Sequence, residues 1–208
     1  MYNQQVDNVT HSLHHGVTLQ HNLQWDRHIE NICIKAHKRL DIINFLSLKL
    51  SRVTLDTLYK AYVRSILEYA DLLFCNTSQD NLDNLNKVQK RAGKIVSGAI
   101  RGTSSDTLYN ELSWETLDAR RDKRMLVSYS DIVHNRAPSY LHTHIPQTVQ
   151  ERTQDRYNLR NRNNLSQPAS RTETYKNSYF PTMAGTWNNT DPTIQSIQSR
   201  TTLKNTLN

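Results

Sequence analysis

Apolar residues return at three- and four-residue steps through most of the first two thirds of the chain, the spacing that lines one face of an α-helix. From Asp26, an N-cap candidate, Ile29, Ile32, Cys33, Ala36, Leu40 and Ile43 share such a face and predict a first helix reaching about residue 46. Leu55, Leu58, Tyr62, Ile66 and Tyr69 repeat the pattern for a second helix, capped by Ser51. A third starts near Ser78, gains from Asp80 at the positive end of its dipole, and carries Leu82, Leu85, Val88, Gln89, Ala92, Ile95 and Val96 before Gly98 offers an end. A short helix over 106–112 and a longer one over about 113–135 follow. The longer one turns Leu117, Met125, Tyr129, Ile132 and Val133 inward, with Arg121 snorkelling from the same stripe.

Outside this stretch the period changes. Residues 9–20 alternate weakly and predict one or two short strands, with His21-Asn22 turning the chain before Trp25. Beyond Pro138 the helical period is lost, and residues 147–176 are rich in Arg, Asn, Gln, Ser and Thr, which predicts an extended, partly ordered arm and one short helix near the C-terminus. Pro168, Pro181 and Pro192 fall in the last quarter and leave the middle free of helix breakers. The expected fold class is therefore mainly α: a helical bundle over 25–136, preceded by a short β-hairpin over 1–24 and followed by a loop-rich basic segment over 137–208.

Only 36% of the 208 residues are apolar and 8% are aromatic, so the core must be small and unevenly distributed. Lys and Arg number 26 against 19 Asp and Glu, and the resulting +7 favours polyanionic partners through counterion release without specifying a sequence. Cys33 and Cys75 lie far apart with no His pair at finger spacing, and read as reduced thiols. The first ten residues are polar, and no apolar run approaches the roughly 20 residues of a membrane span. A location in the nucleus or cytoplasm, away from membranes, is expected.

Enzyme signatures are missing from the sequence. It holds no Gly-x-Gly-x-x-Gly, no Walker loop, no Gly-x-Ser-x-Gly and no His-Glu-x-x-His, so no small-molecule substrate is expected. His142 and His144 alternate, but without an acidic or thiol third ligand they read as solvated, as does His14-His15, and no metal site is expected.

Basic residues carry the functional signal. Lys87, Lys90, Arg91 and Lys94 share the polar face of the third helix, while Arg120, Arg121, Lys123 and Arg124 crowd one turn of the fifth beside Glu115, Asp118 and Asp122. Both clusters suit a phosphate backbone, and both are also what a solvated helix face looks like. In the arm, Arg152, Arg156, Arg160 and Arg162 flank Tyr157, whose ring is placed to stack on an unpaired base; a disordered tether is the alternative. Trp25, Trp114 and Trp187 sit beside apolar partners and read as core anchors.

One ordered series of short signals runs through the chain: Gly16-Val17-Thr18-Leu19, Leu23-Gln24-Trp25-Asp26-Arg27-His28-Ile29, Leu58-Tyr59-Lys60-Ala61-Tyr62 continuing to Glu68-Tyr69-Ala70-Asp71, and Val88-Gln89-Lys90-Arg91-Ala92-Gly93. Tyr109-Asn110-Glu111-Leu112-Ser113-Trp114, Arg120-Arg121, Pro138-Ser139-Tyr140-Leu141, Tyr157-Asn158-Leu159-Arg160 and Trp187-Asn188 follow. In order and spacing this resembles the region downstream of the catalytic palm in reverse transcriptases of non-LTR retrotransposons, the jockey-like group in particular, over about residues 12–204. His14-His15 departs from the family pattern, which has Leu before the glycine.

The resemblance implies the last palm strands, a helical thumb and a downstream arm, encoded as a truncated or degenerate reading frame. The thumb would grip the backbone of RNA or an RNA–DNA hybrid through Lys87, Lys90, Arg91, Lys94, Arg120, Arg121 and Arg124, with Arg156 and Arg160 adding contacts from the arm. Its protein partners would be an upstream palm and fingers. A polymerase palm holds two magnesium ions about 4 Å apart between paired carboxylates, and this chain has no Asp-Asp. Tyr69-Ala70-Asp71 imitates that box, but Leu72 stands where the second Asp belongs. No catalytic residue and no cofactor are expected here; magnesium would serve only a full-length polymerase. The alternatives are a stand-alone helical interaction module and an inert retroelement relic.

Overall fold

The computed structural model describes residues 9–153 and 161–207 and is mainly helical, with one short antiparallel hairpin near the N-terminus. It divides into two compact units, residues 1–117 and 118–208.

In the first unit, β1 (His11–His14) pairs with β2 (Val17–Gln20), His14 opposite Val17. The two residues between them, His15 and Gly16, have φ of 47° and 82°. Two successive left-handed residues make the mirror-image turn that matches the twist of a hairpin. The His15 carbonyl accepts from the Tyr69 hydroxyl at 2.7 Å, which ties this turn to the end of the second helix.

Helix α1 (Asp26–Leu46) buries Ile29, Ile32, Ala36, Leu40 and Ile43, the stripe expected from their spacing, and His28 with them. Trp25, not Asp26, occupies the N-cap. Asp26 lies one residue inside, where its carboxylate meets the helix dipole and accepts from the Asn81 amide at 2.7 Å. A third helix partner thus takes the oxygen that would otherwise have capped its own helix.

The second helix departs from its expected face. It runs as α2 (Arg52–Leu58), a π-helical stretch over Tyr59–Arg64, and α3 (Ser65–Leu67), with the Ser51 hydroxyl accepting from the Thr54 N–H at 3.3 Å. Leu55, Tyr59, Val63 and Leu67 are buried, whereas Tyr62 and Tyr69 are exposed. The buried residues repeat at strict four-residue steps. An ideal α-helix would drift by about 120° over three such steps, because four residues exceed one turn by about 40°. The wider π turns remove that drift and keep all four residues facing the core.

Helix α4 (Gln79–Ser97) begins at Ser78, whose hydroxyl accepts from the Asn81 N–H, and ends at Gly98 with φ 71°, whose N–H donates to the Lys94 carbonyl at 3.0 Å. Glycine meets that left-handed position without a Cβ penalty. Helix α5 (Ser105–Leu112) is capped by Ser104 and stops at Ser113, itself left-handed with φ 53°. The long helix expected from residue 113 therefore starts later, at Leu117.

These helices share one core. Trp114 stacks on Tyr59 with ring centroids 4.1 Å apart and donates its indole N–H to Asp56 at 2.7 Å. Burial pushes the Tyr59 hydroxyl well above the usual phenol range. Gln89, also buried, donates to the Glu115 carbonyl at 2.8 Å and accepts from the Leu117 N–H at 3.2 Å, which satisfies the loop between α5 and the next helix. Gly93 lets α5 approach α4, yet an added Cβ would meet Leu108 no closer than 3.5 Å. Gly93→Ala should therefore raise stability by up to about 1 kcal/mol through helix propensity, read as a higher urea midpoint. Gly93→Leu should lower it by overpacking against Leu108.

The second unit is built around α6 (Leu117–Val133) and the C-terminal helices. Short helices α7 (Ser139–His142), α8 (Val149–Thr153) and α9 (Glu173–Lys176) precede α10 (Tyr179–Asn189), α11 (Pro192–Gln195) and α12 (Arg200–Leu207). The C-terminal quarter is thus more helical than its sequence period suggested. Met183, Ala184 and Trp187 of α10 are buried, and the Trp187 ring lies 5.6 Å from that of Tyr129. Asn188 clamps the arm, accepting from the Leu165 N–H at 2.8 Å and donating to its carbonyl at 2.9 Å. Asp131 joins Arg136 and Arg200 at 2.9 and 3.1 Å.

Arg121 does not snorkel. It is buried, and its guanidinium donates to Asp118 one turn earlier at 2.9 Å, so a carboxylate on its own helix meets the charge.

Candidate nucleic-acid interface

The expected interface residues separate into three groups. Lys87, Lys90, Arg91 and Lys94 all lie on α4, held by the core residues Leu85, Val88, Ala92 and Val96 behind them. Lys87 is exposed and donates to the Asn84 side chain at 3.0 Å. Lys90 and Lys94 are half-buried, with no carboxylate within 4 Å among the described residues. Stems lying along the helix with ammonium heads outward leave the charge available to a polyanion.

Arg91 differs. It bridges to α1, donating to His37 Nδ1 at 3.0 Å and pairing with Asp41. Its positive charge is partly spent inside the unit, and its role is to lock α4 against α1. Lys87 also faces α1: burial raises the Cys33 thiol above its usual range, and the Lys87 ammonium opposes that shift.

In the second unit, Arg120 and Arg124 are half-exposed on α6, and Arg121 is buried against Asp118. Burial raises the Asp122 carboxyl above its usual range, the Arg121 charge opposes this, and Asp118 adds to it. Arg156 and Arg160, with Tyr157, lie outside the described residues.

A second basic feature was not singled out from the sequence. Lys35 and Arg39 project from α1 on the side away from Arg91 and line a groove of about 620 Å³ with the hairpin and the second helix. Its signal was present as an i, i+4 pair in register with His28, but both residues fell among the exposed positions of an amphipathic helix.

His28 forms the groove's inner wall, packed between Trp25 and Phe74 with centroids 6.2 and 5.8 Å away. Its Nδ1 accepts from the Thr18 N–H at 3.3 Å, which assigns the ring proton to Nε2. Burial, and then the Lys35 charge, lower its pKa. The unfolded chain binds a proton near pH 6.5 that the folded chain resists, so the folded state loses stability as pH falls below about 6.5. Urea midpoints should be flat above that pH and decline below it. His28→Asn should remove that decline, and an equal decline in the variant would assign it elsewhere.

Among the described residues no three His, Cys, Asp or Glu side chains converge as a metal site, and no helix is long and apolar enough to cross a membrane. Comparison with known protein families, curated proteins and solved structures finds no match.

Proposed function

We propose that this chain is a non-catalytic thumb-like region of a reverse transcriptase of the non-LTR retrotransposon type, gripping the backbone of RNA or an RNA–DNA hybrid. The observation that carries the reading is the α4 face: Lys87, Lys90 and Lys94 lie on one rigid helix, with no carboxylate within 4 Å of any of them among the described residues. Such a row meets successive phosphates without reading bases, which is what a duplex grip needs. The sequence resemblance supplies the polymerase context. In that setting the magnesium-binding carboxylates belong to the upstream part of the palm, and palm and fingers are the protein partners.

A second reading, a helical protein-interaction module, has an observation of its own. Ile42, Phe45 and Leu48 are 61%, 73% and 96% exposed at the end of α1, an apolar patch of the kind that marks protein contacts. The two readings separate in one experiment, binding of a fluorescent RNA–DNA hybrid compared between wild type and a Lys90→Gln/Lys94→Gln variant. Weakened binding in the variant supports the grip, and hybrid binding untouched by the change contradicts α4 as its seat.

A further inference from the structure

The groove between the hairpin, α1 and the second helix is independent of the α4 face. At 100° per residue, His28, Ile32, Lys35 and Arg39 fall on one side of the buried stripe of α1, and Cys33, His37 and Asp41, which meet α4, fall on the other. Two cations line the groove and no Asp or Glu does. Neither Lys35 nor Arg39 has a carboxylate within 4 Å among the described residues.

Arg39 is held in place, donating one guanidinium N–H to the Tyr62 carbonyl of the π-helical stretch at 2.7 Å. The widened backbone thus positions one of the groove's two charges and leaves the other guanidinium N–H groups unassigned. Behind them, His28 is 2% exposed, and its Nε2 proton has no acceptor in the protein. A buried donor without a partner costs about 1–3 kcal/mol. The remaining lining mixes apolar surface, Leu13, Ile32, Ile66 and the Tyr69 ring, with the uncharged polar side chains of Thr18, Asn31 and Ser65 and with His15.

We infer that this groove binds a phosphomonoester carried on a nucleoside-sized body, either a free nucleotide or the terminal nucleotide of a strand. A dianionic phosphate matches the two unpaired cations, where a carboxylate would match one. The volume of about 620 Å³ exceeds what a bare oxyanion fills and lies in the range of small-molecule sites. The apolar part of the lining gives the base or sugar a surface to lie against, while Lys35 and Arg39 hold the phosphate at the rim.

The test uses the full chain at low salt with four probes: adenosine monophosphate, adenosine, and a short single-stranded RNA with either a 5′-phosphate or a 5′-hydroxyl. At least one phosphorylated probe should bind measurably tighter than its unphosphorylated counterpart. Lys35→Gln, an exposed position whose loss leaves the core untouched, should weaken that probe by about tenfold. Lys204→Gln, an exposed position on α12 outside both the groove and the α4 face, should leave it unchanged. Preference for the monophosphate assigns the site to free nucleotide, and preference for the 5′-phosphorylated RNA assigns it to a strand end. Equal binding of phosphorylated and unphosphorylated probes, no binding of any, or indifference to Lys35→Gln overturns the inference. Because a 5′-hydroxyl hybrid has no terminal phosphate, its affinity does not depend on the groove, and the two sites can fail separately.

Discussion

Trp114→Ala should cost the first unit about 3–5 kcal/mol, the range for removing a buried aromatic side chain. Two interactions end together and a cavity forms. The stack on Tyr59 at 4.1 Å is lost, the indole N–H no longer satisfies Asp56, and a cavity opens beside the π-helical stretch. Asp56 keeps Lys60, which pairs with it at 2.7 Å, so its carboxylate is not stranded. Trp114→Phe separates the contributions, since a phenyl ring preserves much of the stack while losing the hydrogen bond. Its cost should be about 1–2 kcal/mol. Urea denaturation followed by far-UV circular dichroism measures both, and a Trp114→Ala loss under about 1 kcal/mol would remove this stack from the centre of the core.

Replacing Lys87, Lys90 and Lys94 together by Gln should weaken RNA–DNA hybrid binding by about two orders of magnitude at low salt, taking each phosphate contact at about 1 kcal/mol. Arg91 is left in place deliberately. Its replacement would break the pairing with Asp41 and His37 that fastens α4 to α1, and would confuse a folding defect with a lost contact. Thermal unfolding of the triple variant should match wild type, because none of the three ammonium groups has a carboxylate within 4 Å among the described residues. An affinity loss spread equally over any three exposed lysines would indicate bulk charge rather than a built face.

The sequence exposes α1 and α4 clearly because their apolar residues follow the 3.6-residue period and their ends carry recognisable residues, Ser78 and Gly98 among them. The second helix was legible as a helix but not in its face. Leu55, Tyr59, Val63 and Leu67 repeat every four residues, a spacing that suits the π-helical turns and not an ideal α-helix, so the α-period selects Tyr62 and Tyr69 instead. In the C-terminal quarter, α10 carries a proline, a glycine and two asparagines, which hide its helix from propensity, and the burial of Met183 and Trp187 decides the matter.

The basic face of α4 was legible as a face, because helical spacing alone places Lys87, Lys90, Arg91 and Lys94 together. What spacing could not reveal is that Arg91 reaches across to Asp41, a residue 50 positions away. Long-range pairing also hid the groove: Lys35 and Arg39 acquire a shared setting only when the hairpin turn and the second helix close over α1.

The central claim, a backbone grip on duplex nucleic acid, is tested most directly by the salt dependence of hybrid affinity. With three phosphate contacts on α4, a log–log plot of affinity against salt should have a slope of about −2.1 to −2.7, a loss of about 20- to 40-fold between roughly 50 and 200 mM salt. The triple Gln variant should flatten that slope. No hybrid binding at the lowest salt, or an affinity indifferent to salt, would contradict the grip.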